Sequence, residues 1–175
     1  QGVSSAASDV YKRQHIWSSR GCPFKCIFCV WPGAMTGNDP LGDGKRSVRQ
    51  YTPDYVENLV KELTGRFKFE AIYFDDDTFN IGNRHTENMS EVMSKFNIPW
   101  FAMCRADTSK KETWSKMADS GCKGVKLGVE SGSQVVVDKI VNKHLDLKYL
   151  SYINHFKSYR LVFRRLSNNP QNLTL

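Results

Sequence analysis

The sequence predicts an α/β fold in which a parallel sheet is covered by helices. Short apolar runs, AIYF (71–74), WFAMC (100–104) and VKLGVE (125–130), recur a few tens of residues apart. Between them lie stretches whose apolar residues are spaced for one face of a helix. The residues able to do chemistry gather just after these runs: Asp75-Asp76-Asp77, Arg105, and Glu130-Ser131, with a cysteine-rich loop after an earlier, shorter run. That is the C-terminal end of each strand, where parallel α/β proteins build their sites. The alternation alone fits a barrel and an open doubly wound sheet equally.

The elements follow in order. HIWSS (15–19) is short and β-prone and leads into the cysteine loop. Gly33 to Gln50 is rich in Gly and Pro and reads as a long loop. Thr52-Pro53 opens a helix, with a cap residue before a proline at the first helical position. Val56, Leu59, Val60 and Leu63 face inward and Gly65 ends it. AIYF is a buried strand, followed by a helix whose inner face is Met89, Val92, Met93 and Phe96 and which Pro99 breaks. WFAMC is the next strand. Ser109 and Glu112 have the spacing of a capping box, opening a helix that Gly121 stops. VKLGVE is the fourth strand. Ser133 caps a helix through Val136, Val137 and Ile140, and Asp146 caps another through Leu147, Leu150, Ile153 and Phe156. After Tyr159 the pattern fails, although a fifth strand can begin at Leu161.

Charge narrows the function classes. The formal net charge is +7, but residues 142–175 hold six Lys/Arg against one Asp, a net of +5, which leaves +2 for the rest. A basic end segment is not a basic stripe through a domain, so nucleic acid is not the expected partner. No apolar run approaches the roughly 20 residues of a membrane span. Residues 1–14 lack periodicity, look like translated sequencing-adapter read-through, and read as a non-native or disordered leader. Residues 15–159 form the expected core and 160–175 an aberrant or disordered tail.

Cys22, Cys26 and Cys29 form C-x3-C-x2-C within the decapeptide RGCPFKCIFC. Clustered thiols in a chain of alternating helices and strands point to metal rather than disulfides. Thiolates select zinc, copper(I) or iron–sulfur clusters. Structural zinc takes four ligands, usually as paired knuckles. Three thiolates anchor three irons of a cubane cluster and leave the fourth open to a ligand, which suits chemistry better than structure.

These residues carry a family resemblance. GCPFKCIFCVWP, YFDDDTF and GVKLGVESGS are similar to the motifs of the radical S-adenosylmethionine superfamily, in the subgroup associated with cobalamin-binding domains that includes anaerobic magnesium-protoporphyrin ester cyclases and hopanoid-associated radical proteins. The resemblance spans about residues 15–159. It implies a partial (β/α) barrel, truncated after about four βα units, in a fragment of a larger enzyme. It implies a 4Fe–4S cluster on Cys22, Cys26 and Cys29, with S-adenosylmethionine chelating the open iron. Reductive cleavage of that cofactor yields a 5′-deoxyadenosyl radical for C–H functionalisation, cyclisation or methyl transfer on a small-molecule substrate. By the same resemblance, Phe28 lies near the cluster and adenine, and Asp76 and Asp77 approach the methionyl amine. Arg105 pairs with the methionyl carboxylate, and Glu130, with Ser131 beside it, accepts from the ribose. Cobalamin in the full-length parent, an electron donor such as flavodoxin or ferredoxin, and a cytoplasmic location complete the expectation.

Plainer readings exist for the same residues. The thiols form a zinc- or cluster-binding structural module without catalysis, with Cys104, Cys122 or His15 completing a zinc set, although Cys104 and Cys122 read better as buried small hydrophobes. The three acids serve as a solvated turn and helix cap, or hold a divalent cation. Arg105 alone is a surface residue, and Trp31 and Pro32 shape a pocket or merely pack.

Overall fold

The structure is a computed structural model and describes residues 13–30, 47–150 and 162–163. The first strand, β1 (Arg13–Ile16), starts ahead of His15, within the stretch read as a leader. A small antiparallel ribbon follows, β2 (Ser19–Arg20) against β3 (Arg49–Gln50). HIWSS is therefore divided between two sheets, because the chain turns at Trp17-Ser18 before it reaches the cysteine loop. The end of the stretch read as a loop supplies β3. The rest of it, with Trp31 and Pro32, lies outside the described residues.

Helix α1 (Pro53–Arg66) begins as the sequence predicts: the Thr52 side chain accepts from the Tyr55 amide and proline occupies the first turn. It does not stop at Gly65, which lies in its last turn; Phe67 is the C-cap. Strand β4 (Ala71–Phe74) is buried on both faces. Helix α2 (Asn83–Ser94) buries Met89, Val92 and Met93, and ends before Phe96. Strand β5 (Trp100–Cys104) matches its apolar run.

Helix α3 (Lys111–Asp119) corrects the expected capping box. Its N-cap is Lys110, with no side-chain cap of its own. Asn83 supplies the missing acceptor from α2, taking the Lys110 amide at 3.0 Å and the Thr113 hydroxyl at 2.9 Å. Ser109 instead faces Asn80, whose side-chain nitrogen donates to its hydroxyl. Strand β6 (Cys122–Leu127) starts and ends three residues earlier than VKLGVE, so Glu130 lies beyond it, at a positive φ of 69°. The segment after Ser133 is a wide turn of π-helix (Val136–Ile140). The helix expected after Asp146 is described only to Leu150; Ile153 and Phe156 lie outside the described residues. Strand β7 (Val162–Phe163) is the fifth parallel strand, where the sequence allowed one to begin at Leu161, and it falls inside the stretch read as an aberrant tail.

The main sheet has the order β1-β4-β5-β6-β7, all parallel. Spatial order follows chain order without reversal. A doubly wound sheet needs a reversal point, so the winding is that of a barrel. The arc is open, with β1 and β7 at its two edges. Helix α2 packs against both α1 and α3 on one side. Phe74, Phe79 and Trp100 meet there with ring centroids 4.8–5.5 Å apart. Such buried rings anchor the scaffold at roughly 1.5–3 kcal/mol each. No helix of the described residues is long and apolar enough to cross a membrane.

Candidate functional site

The cysteine loop leaves β2 at Gly21, whose φ is +98° and where a Cβ would stand 2.2 Å from the Ser47 carbonyl oxygen. Only glycine passes that point. Beyond it Cys22, Cys26 and Cys29 are all partly exposed, and the Cys29 amide closes a tight turn onto the Cys26 carbonyl at 3.1 Å. Among the described residues no three His, Cys, Asp or Glu side chains converge to hold a single ion. Zinc needs ligands that converge on one point. A cubane takes one thiolate per iron, and three partly exposed thiols on one loop can supply three. Cys104 and Cys122 are buried in the core, and burial pushes Cys122 up to about 12 and Cys104 well above its usual range. His15 turns to Asp75 at 3.6 Å. None of these three joins the loop, which disfavours the zinc module.

Two groups of residues hold the loop. On the near side the acids after β4 divide their work. Asp76 is buried and accepts from the Ser18 amide (2.8 Å), the Ser18 hydroxyl (2.7 Å) and the Ser19 hydroxyl (2.6 Å). Burial raises its pKa against the pull of those hydrogen bonds. His85 of α2 reaches the Ser18 hydroxyl at 3.1 Å, and burial lowers its pKa to about 4. Asp77 accepts the Gly21 amide at 2.7 Å, and Thr78 lies 3.7 Å from the Cys22 sulfur. Asp75 is exposed. The three acids thus point in three directions, with no shared cation position.

On the far side the turn 141–144 grips the second half of the loop. The Ile27 amide donates to the Val141 carbonyl at 3.1 Å, and the Asn142 side chain donates to the Lys25 carbonyl at 3.0 Å. Arg105 is buried and forms a two-pronged pair with Asp107, both arms at 2.9 Å. It also donates to the Lys143 carbonyl and covers the Phe24 ring at 3.5 Å. Lys143 is buried against Glu130 at 2.9 Å. Burial pushes the Cys26 thiol up, while the Lys143 and Arg105 cations pull it down. Phe28 is half-exposed, with its ring 5.9 Å from the Lys143 ammonium, and the Ser131 hydroxyl accepts the Ser133 amide.

Of the cofactor-binding residues the family resemblance implies, Phe28 lies in the loop, Asp77 and Arg105 contact it, and Asp76 and Glu130 contact residues adjoining it, whereas Ser131 does not. Their immediate partners include Ser18, Ser19, Asp107 and Lys143, with His85 behind Ser18 and Asn142 on the Lys25 carbonyl, and none of these was expected at the site. Asn80 is a further case: it exchanges two hydrogen bonds with the Arg105 backbone, 2.8 and 2.9 Å, and so ties the ends of β4 and β5 together. A polar residue just after a strand was the only available signal.

A one-way parallel arc with a three-thiol loop at its C-terminal edge defines a cluster-binding member of the βα-barrel class. Comparison with known proteins makes the assignment specific. The sequence matches the Radical SAM superfamily over residues 18–162, and the chain belongs to that family. It is 29% identical over 130 residues to an uncharacterised methyltransferase of Pyrococcus horikoshii, covering 71% of this chain and 26% of that protein. It is 24% identical over 143 residues to the cytidylyl-2-hydroxyethylphosphonate methyltransferase of Streptomyces wedmorensis, covering 79% and 24%. The chain thus spans about a quarter of the length of these curated relatives. The fold matches that of the radical S-adenosylmethionine methyltransferase TsrM from Kitasatospora setae, solved with cobalamin and a [4Fe-4S] cluster bound. The TM-score is 0.67 at 14% identity, over 86% of this chain and 30% of that one. Membership brings the family's 4Fe–4S cluster and S-adenosylmethionine.

Proposed function

We propose that the chain is part of a cobalamin-associated radical S-adenosylmethionine enzyme that transfers methyl groups to a small-molecule substrate. The observation that carries this is the loop itself: three partly exposed thiols at the C-terminal edge of the sheet, with the other two cysteines locked in the core. The names of the relatives favour methyl transfer over cyclisation.

Cys22, Cys26 and Cys29 would hold the cluster. When bound, the cluster supplies one electron to cleave S-adenosylmethionine at its open iron. The chain's own residues set the geometry. Asp77 keeps one carboxylate oxygen on Gly21, and its other oxygen makes no hydrogen bond among the described residues. It is the acid of the triplet best suited to the methionyl ammonium. Asp76, closed in by serines, acts as scaffold. Arg105, committed to Asp107 and a carbonyl, suits the holding of the loop better than the binding of a free carboxylate. Glu130 offers its second oxygen to ribose hydroxyls, with Ser131 beside it and Phe28 near the adenine. A small acidic electron carrier of the flavodoxin or ferredoxin kind would serve as donor, in a reducing cytoplasm.

Anaerobic reconstitution tests the reading. The expected result is about four irons per chain, the stoichiometry of a cubane, with an EPR spectrum of the reduced protein that changes on adding S-adenosylmethionine. A variant with Cys22→Ala, Cys26→Ala and Cys29→Ala should lose the iron. One tightly held zinc and no response to S-adenosylmethionine would refute the proposal.

A further inference from the structure

We propose that Lys143 tunes the cluster by charge: its buried ammonium beside the cysteine loop makes the cluster easier to reduce, and Glu130 sets how strongly. This rests on the cluster reading above.

A buried ammonium is costly unless it is paired, so one held at such a place calls for a reason. The Lys143 side chain is 9% exposed and has one acid partner, Glu130, itself 10% exposed. Its ammonium stands 5.9 Å from the centroid of Phe28, the residue directly before Cys29. The backbone around it is tied to the residues flanking Cys26, through Val141 to Ile27 and through Asn142 to Lys25. The position is also built at a cost. Asn142, His144 and Glu130 all adopt positive φ, 51°, 51° and 69°. Each is a strain of roughly 1–3 kcal/mol for a residue other than glycine. Gly128 completes the niche, since a Cβ there would stand 2.8 Å from the ammonium and 2.9 Å from the Glu130 carboxylate.

The other charges nearby are balanced or wet. Arg105 is paired two-pronged with Asp107, and Lys25 is exposed, where water and salt screen it. Lys143 is thus the buried cation on the loop whose charge is answered through a single contact. A thiolate-ligated cluster is anionic and gains a further negative charge on reduction. A cation in a low-dielectric niche stabilises that reduced state, and cluster potentials respond to local charge.

The test is a redox titration of the reconstituted protein followed by EPR, with iron content measured first. Lys143→Gln should lower the midpoint potential. Glu130→Gln should raise it, because the ammonium is then unopposed. Lys143→Arg should stay at the wild-type value. A packing role would not give opposite signs for the two halves of one ion pair. Potentials that do not move, or that move in the same direction, overturn the proposal. Should Lys143→Gln fail to hold iron, Glu130→Gln decides: a rise supports the inference and no change overturns it. Wild-type protein that takes up no cluster would refute the parent reading, before any variant is compared.

Discussion

The two halves of the cysteine loop are held by opposite chemistry. The near half, from Ser18 to Cys22, is fixed by carboxylates that accept short hydrogen bonds from amides and hydroxyls. The far half, from Phe24 to Phe28, is fixed by cations lying over rings and by a strained turn that bonds to its backbone. Asp76 is committed to the scaffold, while the Lys143 and Arg105 cations act on the Cys26 thiol and favour its anionic form. The near grip supplies rigidity through short hydrogen bonds, and the far grip supplies positive charge at some cost in strain.

The largest effect should come from the near grip. Asp76→Ala strands the Ser18 amide and two hydroxyls in a buried space, and each unsatisfied group costs roughly 1–3 kcal/mol. A loss of about 3–5 kcal/mol in chemical denaturation is expected. A loss under about 1 kcal/mol would mean that water replaces the carboxylate and the grip is loose.

His85 gives the next. Its folded pKa of about 4 lies below its ordinary 6.5. Between those values the unfolded chain binds a proton that the folded chain does not, so stability falls as the pH drops through that window. The loss at pH 5 relative to pH 7 should be on the order of 2 kcal/mol. His85→Gln should remove most of that dependence in paired thermal melts. If both proteins keep the same slope, another group titrates.

Arg105→Lys probes the far grip. It keeps the charge but cannot reproduce the two-pronged pair with Asp107. A cost of about 1–2 kcal/mol is expected, with faster hydrogen exchange at Ile27, whose amide reports the far turn directly. Unchanged exchange at Ile27 would uncouple Arg105 from the loop.

The smallest effect marks the contrast with both grips. The Tyr73 hydroxyl is buried without a hydrogen-bond partner among the described residues, and burial raises its pKa. Tyr73→Phe should be neutral or stabilising by up to about 1 kcal/mol. Destabilisation in melts would reveal an unrecognised partner for it.

The strands and the helix faces were legible because their signals are local. AIYF and WFAMC became β4 and β5 without change, and Val56 and Val60 face the core as their spacing required. Caps supplied from elsewhere were not legible. The expected capping box at Ser109 lost to Asn83, which belongs to another helix. The acids after β4 were visible as a site, but their partners are not, since Ser18 lies 58 residues from Asp76. Lys143 carried no signal at all, because its meaning comes from a turn with positive φ that nothing in NKH announces. The two-residue β7 lies one residue from the start expected at Leu161, since its short apolar run is itself a local signal.

The division of the cysteines between loop and core has a consequence for how this protein ages in air. Only a thiolate reacts readily with oxidants, and only where they can reach it. Cys104 and Cys122 are sealed in the core with thiols held protonated, so they are kept out of that chemistry. Thiol oxidation is therefore directed to Cys22, Cys26 and Cys29, which lie within eight residues of one another on one partly exposed loop. Sulfenic acid and disulfide are the reversible rungs of the oxidation ladder, and the thiols the core protects are the ones whose oxidation would disrupt packing.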